Sequence, residues 1–362
     1  MEKKIKVLHT EWSNGWGGQE IRIISEMEAL REKGIELFLA TREEAKIKEE
    51  AIKRGFEVFV LPFKGSFDFK TFLGLIKVIK EKDIDIVNTH SGKDTWVGGF
   101  ASKFAGAKFI RTRHLANPIN PSRLNFINEI ADFVITTGEK VKEDMIKNNR
   151  IDPKKIASVP TGVDSKIFDP KKYNKKLERE KLDIREDEIA IGALGVIRTV
   201  KRHEDFVEAA KILNKKFKNL KFFIAGEGPM KNHIEKLIEK YNLNNFYLLG
   251  HINEPAYYLS AMDIFVNPSK SEGVPQAVIQ ALMMEKAVVA TDVGSTKDLY
   301  KDNFLFAKAL DPDDLANKIE KLIVDENLRK NLESKARENT VKNFSKEAMS
   351  SKILEIYRKV LD

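Results

Sequence analysis

Short apolar runs recur along the chain, each followed by a stretch whose apolar positions fall at helical spacing. The first half carries KIKVLHT (4–10), IELFLAT (35–41), FEVFVLP (56–62), DIVNTH (85–90), KFIRTRH (108–114) and DFVITTG (132–138). The second carries IAIGALGV (189–196), KFFIAGEG (221–228), NFYLLGHI (245–252), DIFVNPS (263–269) and AVVATDVG (287–294). Between them lie amphipathic patterns such as IRIISEMEALREKG and DFVEAAKILNKKF. Near-continuous apolar strands alternating with helices predict parallel sheets covered on both faces. The expected fold class is therefore α/β, doubly wound. The alternation breaks between about 163 and 187, a charged segment with Pro170 and no strand pattern. Two similar halves are expected on either side of it, 1–163 and 164–345, and the stretch from 346 to 362 reads as a helix with no strand after it. Open α/β sheets bind ligands beyond the carboxyl ends of their strands, and two such domains facing each other would share one cleft there.

Composition narrows the class. A chain of 362 residues with 42% hydrophobic content has room for two cores. No window approaches the roughly 18 apolar residues of a membrane span, and the start, MEKKIKVLHT, has no signal-peptide pattern. There is no cysteine, which excludes disulfides and thiolate metal sites. A cytoplasmic protein is expected. The net charge of +8 favours a phosphate-bearing partner, although a densely charged surface that leans basic is the alternative.

The residues that could carry chemistry follow strands. After the first comes SNGWGGQE, where Gly15, Gly17 and Gly18 lead to a helix near Glu20. Such a loop lets backbone amides approach an anion, or simply makes a tight turn, and it lacks the dinucleotide GxGxxG pattern. GVIRTVKRH places Arg198 and Lys201 at a helix start, where a guanidinium and an ammonium suit a diphosphate. Two solvated bases are the plainer reading. FIAGEGPM offers Gly226 and Gly228 as a turn that can line a ligand. In NPSKSEGVPQAVIQ, Pro275 suits the first helical position, so amides near Gly273, Val274 and Gln276 would face a ligand. Glu272 precedes that helix and can accept hydrogen bonds from sugar hydroxyls, with Gln280 roughly 7 to 8 Å further along the axis. His90 and His114 each follow a strand. No His/Asp/Glu cluster has metal-site spacing, and the Asp-x-Asp at 83–86 stands at a strand entrance.

Together these motifs resemble the GT4-type retaining glycosyltransferases of the GT-B fold, over essentially the whole chain. GGQE (17–20) is similar to that family's GGxE loop, and VPTGVDSKIFDP (159–170) to its PNGVD hinge, with Thr161 in place of the usual Asn. RTVK (198–201) matches the Arg and Lys that hold the donor diphosphate, while IAGEGP (224–229) and the stretch 268–295 match the nucleotide-sugar region. The resemblance implies two facing Rossmann-like domains with a cleft between them, the first on the acceptor side and joined by helix 346–362, the second binding the nucleotide sugar. It places Glu272 as the first Glu of an E-x7-E signature near the transferred sugar, and Gln280 where the second Glu usually holds the ribose. His114 matches a histidine at the reaction centre, Gly17 and Gly18 the loop near phosphate and acceptor, and Glu20 the glutamate of GGxE. Ser295 stands where a second glycine is common.

A mechanism comes with the resemblance. Arg198, Lys201 and helix N-termini stabilise the departing nucleoside diphosphate without metal, the acceptor hydroxyl attacks on the face the leaving group vacates, and closure of the domains excludes water. No cofactor, no metal and no nucleic acid are expected, only a UDP- or GDP-sugar donor and a glycan or lipid-linked acceptor of cell-surface polysaccharide or lipopolysaccharide. The segment 63–82 interleaves Phe63, Phe67, Phe69 and Phe72 with lysines. It reads either as a docking face for the inner, anionic membrane surface or as a core-facing helix with ordinary surface lysines. Two alternatives stand beside the transferase: a catalytically silent nucleotide-sugar-binding relative, for which Gln280 argues, and a nucleotide-sugar epimerase, which would need further cleft carboxylates.

Overall fold

A computed structural model describes residues 4–114, 119 and 126–362. Of the stretch RTRHLANP, positions 115–118 therefore lie outside the described residues. The chain divides into two compact units, Met1–Gly162 with Lys346–Asp362, and Val163–Ser345.

The first unit carries β1 (Lys6–Glu11), α1 (Gly18–Arg31), β2 (Glu36–Thr41), α2 (Lys46–Lys53), β3 (Glu57–Val60), α3 (Phe69–Lys82), β4 (Ile86–Thr89), α4 (Gly92–Ala105), β5 (Lys108–Arg113), β6 (Phe133–Thr136), α5 (Glu139–Asn149) and β7 (Ile156–Ser158). The second carries α6 (Lys175–Lys181), β8 (Ile189–Leu194), α7 (His203–Leu213), β9 (Leu220–Ala225), α8 (Lys231–Lys240), β10 (Phe246–Gly250), α9 (Pro255–Ala261), β11 (Ile264–Asn267), α10 (Gln276–Met283), β12 (Ala287–Thr291), β13 (Leu305–Ala307), α11 (Pro312–Val324) and α12 (Glu326–Phe344). The final helix, α13 (Lys346–Leu361), returns to the first unit.

Among the described residues the sheets run β3-β2-β1-β4-β5-β6-β7 and β10-β9-β8-β11-β12-β13, with every pairing parallel. The apolar runs explain this arrangement. Successive side chains of a strand point to opposite faces, and along β9 Phe222 and Ile224 enter one core while Phe223 and Ala225 enter the other. Val7 and Leu8 of β1 divide in the same way between two cores. Each fully buried Phe, Leu or Ile contributes about 1.5–3 kcal/mol, so these strands are held from both sides. Helix α13 supplies Met349, Ile353, Tyr357 and Val360 to the core that α1 lines with Ile23, Met27 and Leu30.

Two strands have no counterpart in the sequence pattern. β7 and β13 are three residues long and stand at sheet edges, too short for a hydrophobic period to register. The charged segment after 163 holds α6, capped by the Asn174 side chain, which accepts from the amides of Lys176 and Leu177. In both sheets the strand order reverses between two neighbours, β1 and β4 in the first and β8 and β11 in the second. That reversal opens a crevice at the carboxyl ends.

Candidate active site

In the second unit the loops after β8 and β11 meet at this crevice. The Lys270 amide donates to the Val200 carbonyl at 2.9 Å, which ties the two loops together. Lys201 Nζ lies 2.7 Å from Glu272 Oε1, and Ser269 Oγ donates to the same oxygen at 2.6 Å. Both members of the ion pair are largely shielded, at 17% and 10% exposure. The neighbouring cations differ sharply. Arg202 is saturated by Glu204 and Asp205 at 2.7 and 2.6 Å, whereas the exposed Arg198 side chain has no hydrogen bond or ion pair among the described residues. Helix α10 starts at Gln276, with Pro275 one position ahead as its cap residue rather than at the first helical position. A Cβ built on Gly273 meets nothing within 4 Å, so its bareness answers no steric need of the chain itself. His203, at the start of α7, is pushed down to about 4 by burial and by Lys201.

The glycines after β9 and β12 have a packing task. A Cβ on Gly226 would fall 1.9 Å from the Gly195 carbonyl oxygen, one on Gly228 2.3 Å from that of Ile197, and one on Gly294 1.8 Å from that of Glu272. These glycines let the loops pack on one another. Gly226 is thus a close-packing position for the Gly195 backbone.

In the first unit the crevice is built on Asp94. Its carboxylate accepts from Thr10 Oγ1 at 2.6 Å, from the His90 amide at 2.9 Å and from the Ser91 amide at 2.8 Å, and it also takes the Ser91 hydroxyl. One side chain thereby joins the ends of β1 and β4 to the first turn of α4. Glu11, beside it, is raised to about 7 by burial and by Asp94. Three imidazoles stand alongside. His9 Nδ1 is 2.8 Å from His90 Nε2, and His90 Nδ1 is 2.8 Å from His114 Nε2. Burial holds His90 and His114 well below the usual histidine range, reinforced by Arg22, Arg111 and neighbouring histidines.

The comparisons with known proteins decide the family. The family model described as Glycosyl transferases group 1 matches residues 174–339, and Glycosyltransferase Family 4 matches residues 16–166. The chain belongs to the GT4-type glycosyltransferases. It is 27% identical over 325 residues, 83% of each chain, to the Escherichia coli UDP-Gal:alpha-D-GlcNAc-diphosphoundecaprenol alpha-1,3-galactosyltransferase. A glycosyltransferase structure from Rickettsia africae covers 99% of both chains with a TM-score of 0.90 and 24% identity. Anabaena HepE in complex with UDP aligns with a TM-score of 0.84 and 18% identity, covering 98% of this chain and 100% of that one. The two parallel-sheet units have the GT-B architecture.

Within this glycosyltransferase the expected residues fall into three groups. Arg198, Lys201, Glu272, Gly273, Val274, Gln276 and Gln280 lie around the crevice of the second unit, on the loops after β8 and β11 and along α10. Gly17 and Gly18 follow β1 in the first unit, and His114 follows β5 as the half-buried end of the imidazole row. Two others do not meet solvent. Glu20 is buried and its Oε2 accepts from the Gly17 amide at 2.8 Å, so it shapes the glycine loop instead of standing open to an acceptor. His90 is 1% exposed and fills the space between His9 and His114, which corrects its reading as an acceptor contact. The sequence reading passed over His9, Asp94, Asn267 and Ser269. His9, Asn267 and Asp94 lie inside strands or a helix, and Ser269 is part of the NPSKSEGVPQAVIQ stretch, where no task was assigned to it. Thr161 takes a hydrogen bond from the buried Arg22 guanidinium at 3.1 Å, a partner for the residue that departs from the family's Asn.

Proposed function

We propose that this glycosyltransferase moves a sugar from a nucleotide-diphosphate sugar to a hydroxyl of a glycan or lipid-linked acceptor, with retention of anomeric configuration and without metal. The observation that carries this reading is the Lys201–Glu272 pair at the head of α10, with Arg198, which has no hydrogen bond or ion pair among the described residues, three positions before Lys201. A diphosphate needs forked and point cations together with helix amides, and a sugar needs a carboxylate for its hydroxyls. As the anomeric C–O bond breaks, the bonding pair stays with the diphosphate oxygen, and Arg198 and Lys201 stabilise that charge. The acceptor oxygen then bonds to the anomeric carbon and its proton leaves with the diphosphate. UDP is the favoured nucleotide, because the E. coli relative is named for UDP-Gal and the Anabaena structure holds UDP. Calorimetry with UDP, GDP and their sugars tests the site. Wild-type protein should bind one of them, and Arg198→Ala should weaken that binding by about tenfold to a hundredfold with an unchanged melt. No binding by any of them, or unchanged binding in Arg198→Ala, refutes the assignment.

The same reading places the acceptor at a membrane. Of the four phenylalanines in 63–82, Phe63 is core and Phe72 is half-buried, while Phe67 and Phe69 are 78% and 68% exposed. Leu73 and Phe104 add further exposed apolar surface on α3 and α4, and Lys64, Lys70, Lys77 and Lys80 stand exposed in the same segment. Aromatic side chains ringed by lysines suit an anionic lipid surface at the inner leaflet. No helix among the described residues is long and apolar enough to cross a membrane. Sedimentation with vesicles containing phosphatidylglycerol should carry the protein down. The double variant Phe67→Ser/Phe69→Ser should stay in the supernatant, and equal sedimentation of both proteins rejects the docking face.

A further inference from the structure

The three imidazoles at the crevice of the first unit form a single hydrogen-bonded row. His9 sits on β1, His90 follows β4 and His114 follows β5. The rings of His9 and His90 are nearly parallel, at 10°, and those of His90 and His114 lie at 33°, with centroids 5.1 Å apart in both pairs. His9 and His90 are fully enclosed, and His114 is the half-buried end.

A neutral imidazole has one N–H and one lone pair, and each 2.8 Å contact needs one of each. The row therefore has a polarity. In one sense His9 Nδ1–H donates to His90 Nε2, His90 Nδ1–H donates to His114 Nε2, and His114 keeps its proton on Nδ1. In the other sense every proton sits on Nε2, and His114 Nδ1 is a lone pair. The buried end distinguishes them. His9 Nε2 is buried with no hydrogen-bond partner among the described residues. The second polarity leaves an orphaned N–H there, while the first leaves only an unused lone pair. An orphaned buried N–H is the rarer and costlier defect. The third possibility, an imidazolium, has burial against it, and the guanidiniums of Arg22, Arg111 and Arg113 also face His114. The carboxyl groups at this crevice, Asp94 and Glu11, are engaged with Thr10, Ser91, His90 and with Ser13 and Gln19.

We infer that His9 and His90 are positioning residues that lock His114 as its neutral Nδ1–H tautomer, so that His114 offers a hydrogen-bond donor and not a base. The consequence for sugar transfer rests on the proposed function; the tautomer does not. A proton accepted by the row would have to end on His9, which is pushed down to about 3 by burial and has no partner among the described residues to pass it on to. His114 can therefore orient a sugar or acceptor oxygen by donation, while the acceptor proton goes elsewhere.

The test is a long-range proton–nitrogen correlation spectrum of the full chain carrying nitrogen-15 in histidine, assigned with single substitutions. His9, His90 and His114 should all show the Nδ1–H pattern at neutral pH. The Nε2–H pattern, or an imidazolium, at His114 overturns the inference whether or not the chain transfers sugar. Two variants read the coupling. His9→Asn retains an amide donor near the Nδ1 position and should preserve the His114 pattern. His9→Leu removes the donor and should let His114 change to the Nε2–H form. With the nucleotide sugar selected by calorimetry, His9→Leu should lower kcat on the order of tenfold at nearly constant KM, with recovery in His9→Asn. Equal kcat in both variants shows that the lock has no part in turnover.

Discussion

The Lys201–Glu272 pair makes a counterintuitive prediction. Lys201 Nζ is 2.7 Å from a carboxylate oxygen, and it is the same ammonium that a donor diphosphate would engage. A charge-assisted contact of about 2.8 Å would place a phosphate oxygen at most about 5.5 Å from Glu272 Oε1. Two unit charges at that distance repel by about 3 kcal/mol at an effective dielectric of about 20. Glu272 borders solvent, and screening reduces the figure to about 1–2 kcal/mol. Glu272→Gln should therefore bind UDP about tenfold more tightly than the wild-type chain. The gain should shrink as salt is raised, because it is a charge–charge effect. Ser269 can still donate to the amide oxygen, so the loop should keep its shape while Lys201 loses its counter-ion, at a cost of a few degrees in melting temperature. Turnover should fall steeply, because the hydroxyls of the transferred sugar lose their carboxylate. Titration calorimetry with UDP at two salt concentrations reads the effect. Unchanged or weaker UDP binding in a variant that still melts cooperatively would show that Glu272 and the diphosphate do not compete for Lys201.

Three further outcomes follow from the same geometry. Gly226→Ala drives a methyl to 1.9 Å from the Gly195 carbonyl, where the Gly195 amide is itself tied to Ala225 at 2.9 Å; a loss of about 2 kcal/mol should lower the melt by about 4–8 °C, and a wild-type melt rejects the close-packing role. Gln280→Glu should fold normally and bind UDP at least as well as wild type if this side chain meets the ribose, since it is half-buried with no hydrogen-bond partner among the described residues; abolished binding by calorimetry contradicts that placement. The first unit should be stable from pH 7 to 5 and fail below about 4.5. Its buried His9, at about 3 against the usual 6.5, loses stability as pH falls below 6.5, and His90 and His114 act in the same direction. Glu26, raised to about 7, gains stability as pH falls from about 7 to 4.5 and no further. The chain's tryptophans, Trp12, Trp16 and Trp96, all lie in this unit, so melts followed by their fluorescence isolate it, and a melting temperature still rising at pH 4 would show the signs to be reversed.

The fold was legible wherever a strand is buried on both faces. LKFFIA and AVVAT are nearly continuous apolar runs, interrupted only by Lys221 and the terminal Thr291, and both are fully buried strands. Edge strands carry no such mark. LFA in β13 is half-covered and three residues long, which is too little for any period. The start of α10 was misplaced by one residue because proline satisfies both the cap and the first helical position, and only the extended backbone of Pro275 separates them. In the candidate site, residues just past strands stood out because that is where ligands of such sheets bind. His9 did not, since its position within KVLHTE is that of an ordinary strand residue. Only the pairing of β1 with β4 brings it to His90, 81 positions away.

A polar layer near that row ties the final helix to the central strands of the first unit. Arg22 on α1 is completely buried, 3.6 Å from the carboxylate of Glu26 and bonded to Thr161. Asn88 on β4 donates to Glu26 and to the Tyr357 hydroxyl, and Thr112 on β5 donates back to Asn88. Tyr357 belongs to α13, a helix that follows no strand and is separated from Asn88 by 269 positions. Burying a charged guanidinium and carboxylate is costly unless their hydrogen bonds are met, so each member is needed by the others. The same layer connects β4, whose next residue is His90, to β5, whose next residue is His114. A change at Tyr357 or Thr161 would therefore register at the imidazole row without touching it. The Thr in place of the family's Asn is then best understood through Arg22: its short hydroxyl accepts from a guanidinium whose charge also faces His90 and His114 and helps to keep both neutral.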